Sequence, residues 1–306
     1  MVESVAPACE PAIAAGGRGR WSLGGGGDMD LGVVAALTHD GIGIADLAAA
    51  VEQAGLESLF LFEHTHLPVS RGDLLDDPFQ WQVPHLLDQF TALGAAAAVT
   101  SRLVLGTGVC IAALHDPISL AKQVVTIDHM SRGRFVFGVA AGWLTEEMRN
   151  HGVEPALRWE LMRERVLAMK AIWTDDEAEF HGQHVDFDPI WLWPKPVQKP
   201  FPPVLVGGDG PRSLVAATEY GDGWMPEVTD VAAFEVNLQE LRRLSAKRGR
   251  PTPQVTGVMF EPDEELLVRC AELGVVRCVV LAPTRDLGSL HSFLDNCSQI
   301  AGRIAR

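Results

Sequence analysis

The sequence has no surplus of positive charge: 25 lysines and arginines stand against 40 aspartates and glutamates, a net charge of −15. A surface that tracks nucleic-acid phosphates is therefore excluded as the main business of the chain. Cysteine is sparse and odd in number, five residues at Cys9, Cys110, Cys270, Cys278 and Cys297 with no CxxC pair. This excludes a disulfide framework or a zinc ribbon and favours a reducing, cytoplasmic compartment. No run of about 18 apolar residues occurs, so no membrane helix is expected. The first 28 residues lack a secretory core, because Arg18 and Arg20 follow the small-residue run instead of preceding it. Neither a GxxxxGK[ST] phosphate loop nor a GxGxxG fingerprint is found.

What is present is a chain of 306 residues, 47% hydrophobic, long enough for one large core. The Gly/Ala-rich stretch "PAIAAGGRGRWSLGGGGD" reads as the end of a flexible leader over residues 1–28, with Met29 as the functional start. From Asp30 short apolar runs alternate with helix-like segments. Eight runs read as strands: 31–36, 58–63, 103–108, 135–140, 204–207, 223–226, 255–260 and 276–281. They are continuous rather than alternating, as strands buried on both faces require. The steps Met162, Val166, Met169, Trp173 mark one face of a helix. Other helices are expected over 45–54, 84–99, 117–130, 212–220, 231–247, 264–273 and 287–304, with Gly55 and Gly274 as left-handed stops. Eight β/α units over 29–306 predict a closed (β/α)8 TIM barrel, the alternative being a doubly wound open sheet. An insertion over 174–203, after the fourth barrel helix, is rich in proline and carries Trp191 and Trp193, which suggests a hairpin or a lid.

In such a barrel the site lies at the carboxyl ends of the strands. The second strand ends in Glu63-His64-Thr65-His66, an acid/base or metal pattern. An HxH pair could hold zinc in a metal-dependent hydrolase through His64 and His66, but the later strands end in glycines and supply no further ligands. We therefore expect no metal, and read His181 and His184 as surface residues. In "VGGDGPRSL" the glycines Gly207, Gly208 and Gly210 lead into a helix, a setting for an anion such as phosphate. The third strand runs through Gly106 and Gly108, leaving backbone bare for the approach of a flat ring. Cys110 next to it reads as a buried thiol or a pocket residue, and Trp143 and Trp224 as core caps or pocket walls.

Four stretches taken in order resemble the bacterial luciferase-like flavin and deazaflavin oxidoreductases, over nearly all of 29–306: "AAAVEQAGLESLFLFEH", "HDPISLAKQVVTIDHMSRGRFVFGVAAGW", "RWELMRERVLAMKAIW" and "PPVLVGGDGPRSLVAATEYGDGW". The second is the most specific, with Lys122, Asp128, Ser131, Gly133, Arg134 and Gly142 in place. The pattern is closest to the coenzyme F-420-dependent branch. The resemblance implies a barrel that binds F-420, or alternatively FMN, and passes a hydride to or from a small organic substrate. The FMN alternative is an FMNH2/O2 monooxygenase with a flavin reductase as partner. It further implies a homodimer, a non-prolyl cis peptide at Gly108-Val109 against the ring, and Gly207 and Gly208 at the cofactor phosphate. His64 matches the catalytic histidine, with Glu63 orienting it or binding the cofactor. Glu146 and Glu227 match polar cofactor contacts, and Cys110 and Trp143 are placed in the substrate pocket.

Overall fold

The computed structural model describes residues 29–304; the expected leader, 1–28, lies outside them. Eight parallel strands close on themselves. They are β1 (Asp30–Ala35), β2 (Ser58–Leu61), β3 (Val104–Thr107), β4 (Phe135–Ala140), β5 (Val204–Gly207), β6 (Gly223–Met225), β7 (Gln254–Met259) and β8 (Arg277–Leu281). Neighbours pair in sequence order. β8 returns to β1 with Asp30 opposite Arg277, and β3 meets β4 with Leu105 opposite Phe135. The open-sheet alternative is thereby excluded, and all eight expected strands occur. The runs are continuous because both faces are covered: β2 and β5 are buried at every residue.

The barrel axis is filled, not hollow. Val34, Phe60, Val136, Leu205, Met225, Val258 and Val279 form a packed inner cluster, while a larger apolar layer lies between strands and helices. Gly106 serves this inner cluster: a Cβ there would sit 2.3 Å from the Phe60 ring. Its bareness makes room for a core phenylalanine, not for a ligand as the sequence suggested.

The helices alternate with the strands: α1 (Ile44–Gln53), α2 (Gln89–Val99), α3 (Pro117–Met130), α4 (Thr145–Asn150), α5 (Arg158–Thr174), α6 (Pro211–Glu219), α7 (Val231–Arg248), α8 (Glu264–Glu272) and α9 (Leu287–Ile304). Asp88, Asp116, Asp230 and Asp263 cap α2, α3, α7 and α8, and Pro117 takes the first turn of α3. The second helix starts at Gln89 and not at 84, because Pro84 belongs to a preceding 3-10 segment (Gln80–His85) and Asp88 sets the true start. The short α4 has no counterpart in the sequence reading.

The insertion over 174–203 packs away from the mouth. Its strands, Ala178–His181 and Asp186–Ile190, form a hairpin whose tip is held by Glu164, which accepts N–H bonds from Gln183, His184 and Val185. Its return segment is tied to the amino-terminal end of β4. Buried Asp128 accepts from the Val197 and Gln198 backbone and from the Gln198 amide, which also donates to the Phe135 carbonyl. Arg134 donates to the Ser131, Ala97 and Thr100 carbonyls and to Leu103. The Asp128-to-Arg134 part of the most specific motif of the sequence is thus a brace at the bottom of the barrel.

Candidate active site

A cavity of about 290 Å³ opens at the carboxyl ends of the strands. Its floor is the Gly108-Val109 backbone, joined by a cis peptide bond. Ala140 ends β4 and Gly142 lies just beyond it, Gly207 ends β5 and Gly208 follows it, and Met225 and Glu227 lie at the end of β6. The glycines are bare for steric reasons: a Cβ on Gly207 would stand 2.9 Å from Val109 Cγ1, and one on Gly108 2.9 Å from Phe60 Cβ. Gly208 also has φ +109°, a backbone that side chains disfavour. Its carbonyl accepts from Ser213 Oγ at 2.7 Å and from Trp224 Nε1 at 2.8 Å. Trp224 is fully buried and stacks on Phe234, so it is a core cap that fixes the glycine loop.

The roof of the cavity comes from residues 62–88, between β2 and α2. Phe79, Gln80, Gln82, Val83 and Leu86 line the space, and Phe62, Phe79 and Phe260 meet edge to face at 5.3 and 5.6 Å. Asp77 shapes the turn by accepting from the Phe79 and Gln80 N–H groups, and Leu87 N donates to Leu37 O to clasp the segment to the loop after β1. Trp191 and Trp193, expected as the lid, line nothing here. They follow a helix and precede a strand, and so fall at the other end of the barrel.

His64 stands in the cavity wall. Its Nδ1–H donates to Glu147 Oε2 at 2.6 Å, and the two side chains are 11% and 1% exposed. The other oxygen of Glu147 accepts from Thr65 N at 2.8 Å and Thr65 Oγ1 at 3.0 Å. Burial pushes the Glu147 carboxyl upward, but the His64 bond and charge together with the Thr65 donors outweigh it, and its pKa ends below the usual value. A carboxylate only accepts, so Nδ1 carries the proton and Nε2 is the ring nitrogen left for the cavity. The Trp143 ring meets His64 edge to face at 5.6 Å and joins the lining.

Glu63 does not orient His64. It belongs to the cavity lining, but its carboxylate bonds within the protein: Oε2 accepts from Ile111 N and Oε1 accepts from His115 Nε2 at 2.8 Å. Burial lowers the His115 pKa, yet the Glu63 bond and charge more than compensate and hold it above the usual value. Cys110 is not a pocket residue: it is fully buried behind Glu63, and burial, reinforced by that carboxylate, pushes its thiol well up. Glu146 is not in the lining either; it faces Arg71 at 3.7 Å on the outer side of α4. Glu227 does line the cavity. Its backbone N–H donates to Asp209 Oδ1, and both carboxyls are raised, first by desolvation and, for Glu227, also by Asp209.

Among the described residues two groups of possible metal ligands converge: Glu63 with Cys110 and His115, and His66 with Glu147 and His151. Neither includes His64, so His64 and His66 do not act as one metal-binding pair. The sequence reading missed Glu147, His115, Phe79 and Gln80. Glu147 had left a signal, since Leu144, Glu147 and Met148 fall at i, i+3 and i+4 and all three are buried.

The model of the luciferase-like monooxygenase family matches residues 29–261. The chain belongs to that family. An uncharacterized protein of Mycobacterium tuberculosis is 38% identical over 288 residues, 90% of this chain and 99% of its own. An F-420-dependent glucose-6-phosphate dehydrogenase of Nakamurella multipartita is 27% identical over 72% of this chain and 65% of its own. An FMNH2-dependent dimethylsulfone monooxygenase of Pseudomonas putida is 33% identical over 44% of this chain and 38% of its own. Among solved structures, an F-420-dependent secondary alcohol dehydrogenase in complex with an F-420-acetone adduct superposes with TM-score 0.73 at 17% identity, covering 91% of this chain and 99% of that one. The luciferase-like barrel is thus shared, and relatives of the chain use either F-420 or FMN. No helix among the described residues is long and apolar enough to cross a membrane.

Proposed function

We propose that this luciferase-like protein is an F-420-dependent oxidoreductase that transfers a hydride between the deazaflavin and a small organic substrate. One observation carries the reading: a bare glycine floor at the strand ends lies beside an imidazole whose Nδ1 is fixed by a buried carboxylate. The residues present suit a flat ring. Gly108 and Val109 form the floor, and Phe62, Phe79 and Phe260 bound the space above it. When bound, the deazaflavin supplies hydride chemistry; the protein supplies position and proton management. Gly207 and Gly208, just before the amino terminus of α6, would take the phosphate. The carboxyls of Asp209 and Glu227 oppose an anion there, so the tail end fits less well than the ring end.

His64 would act as the general acid/base, taking or giving the substrate's hydroxyl proton at Nε2 while Glu147 holds the ring and stabilises its charged form. Trp143 and the 62–88 roof would exclude water from that proton. The aromatic walls favour an apolar substrate with a single hydroxyl or carbonyl group. A luciferase-like monooxygenase using FMNH2 and O2, served by a flavin reductase, is the second reading, favoured by the FMNH2-dependent relative. Assembly as a homodimer belongs to either reading.

Titration of the purified chain with F-420 and with FMN, followed by ligand fluorescence, tests the proposal. Saturable micromolar binding of F-420, at least tenfold tighter than that of FMN, is expected. Tighter FMN binding with oxygen-dependent turnover moves the protein to the second reading. Binding of neither removes both.

A further inference from the structure

On the outer side of the wall that holds His64, three ligand atoms surround one hydroxyl. Thr65 Oγ1 lies 2.9 Å from His66 Nδ1, 2.7 Å from His151 Nε2 and 3.0 Å from Glu147 Oε1. The three atoms lie within 4.8 Å of one another. A zinc ion keeps nitrogen and oxygen donors at ~2.0–2.2 Å in a tetrahedron, which spaces them about 3.4 Å apart. Small side-chain rotations close that difference. Two imidazoles and one carboxylate make a zinc-type donor set with one position left for solvent, and the Thr65 hydroxyl, which sits among the three donor atoms, swings aside to admit the ion.

The surroundings suit that use. The Asn150 amide lies 2.9 Å from His66 Nε2. Its oxygen and nitrogen are interchangeable by a flip. With the oxygen toward the ring, Asn150 accepts the Nε2 proton and leaves the Nδ1 lone pair facing the cluster, the orienting contact that metal-bound histidines require. Glu147 is buried, His66 is half-buried and His151 is exposed, so solvent reaches the cluster from one side. The helical turn that carries Glu147 and His151 is closed by the His151 N to Glu147 O bond at 3.1 Å.

We infer that His66, His151 and Glu147 form a binding site for a divalent transition metal of the zinc class, separate from the cavity and sharing the carboxylate that serves His64. An ion on Glu147 Oε1 draws charge from Oε2, and so weakens the hold on His64 from outside the pocket. The binding part of this inference stands whichever cofactor the cavity takes.

The test uses the full chain, stripped with chelator and titrated with zinc by calorimetry and with cobalt by visible absorption. One ion per chain is expected, with Kd at or below about 100 μM, and His66→Ala and His151→Ala should each weaken it about tenfold or more. His291→Ala, at an exposed imidazole on α9, should bind as the wild type does. Circular dichroism melts of the variants separate lost binding from lost fold; His151, being exposed, is the safer of the two. The inference is overturned if zinc binds more weakly than that limit, or if a folded His66→Ala or His151→Ala variant binds it like the wild type.

Discussion

Glu147→Gln is the most informative single change, because it keeps the shape of the wall and removes only its charge. In the wild type, Glu147 accepts from His64 Nδ1 at 2.6 Å and from Thr65 N at 2.8 Å, with 1% of its side chain exposed. Glutamine can satisfy one neighbour and not the other. If its oxygen faces His64, its NH2 meets the Thr65 N–H; if reversed, its NH2 meets Nδ1–H and drives the imidazole proton to Nε2. A hydrogen bond to a charged group is worth about 1.5–3 kcal/mol. If that stabilisation is lost only when His64 is charged, turnover falls about 10- to 150-fold at 1.36 kcal/mol per decade. Cofactor affinity should change by less than about threefold, since Glu147 lines no part of the cavity. The assay is turnover on any substrate the wild type accepts, beside a fluorescence titration of the cofactor, with His64→Ala as the reference. A Glu147→Gln enzyme running at the wild-type rate would refute the reasoning; so would equal losses in rate and affinity.

Three further outcomes are expected. Glu227→Gln should tighten binding of a phosphate-bearing cofactor by about threefold or more, because it removes a like charge from a partly desolvated part of the cavity lining; a titration at low salt showing weaker binding contradicts it. Asp128→Ala strips the acceptor from two backbone N–H groups and the Gln198 amide at the barrel's foot. It should cost about 3–5 kcal/mol in urea unfolding, as breaking a buried polar network does, while leaving cofactor affinity in the folded fraction unchanged. The raised pKa of His115 means that its pairing with Glu63 stabilises the fold fully below the ordinary value of 6.5 and is lost as pH rises through the folded value. Urea midpoints should fall between pH 6 and pH 9 in the wild type, and by less in His115→Asn.

The barrel was legible because its signal is repeated. Each strand is a short apolar run, and eight of them alternating with helix-like segments leave few architectures. Glu63 and His64 were legible as the end of one such run, but their partners were not. His64 and Glu147 are 83 positions apart, and pairing across that distance is decided by closure of the barrel. Glu146 enters from the resemblance alone, as a polar cofactor contact, and the sequence carries too short an apolar period here to set its face of α4 apart from that of Glu147. One residue is 100° of helix, enough to turn Glu146 toward Arg71 and Glu147 inward. The supposed lid failed on topology. A segment that follows a helix and precedes a strand must lie at the amino-terminal face, where Trp191 and Trp193 are found, whereas 62–88 follows a strand and reaches the mouth. The roof segment itself is two 3-10 turns without helical or strand period, so no pattern marks Phe79 or Gln80.

Phe60, lodged against bare Gly106 in the barrel axis, has a consequence for traffic. No molecule can travel through the staves; among the described residues, the way to and from the cavity is the porch above Gly108. Whatever settles on the glycine shelf is hemmed in by whatever follows it. Steady-state kinetics should therefore show compulsory order, the deeper guest entering first and leaving last.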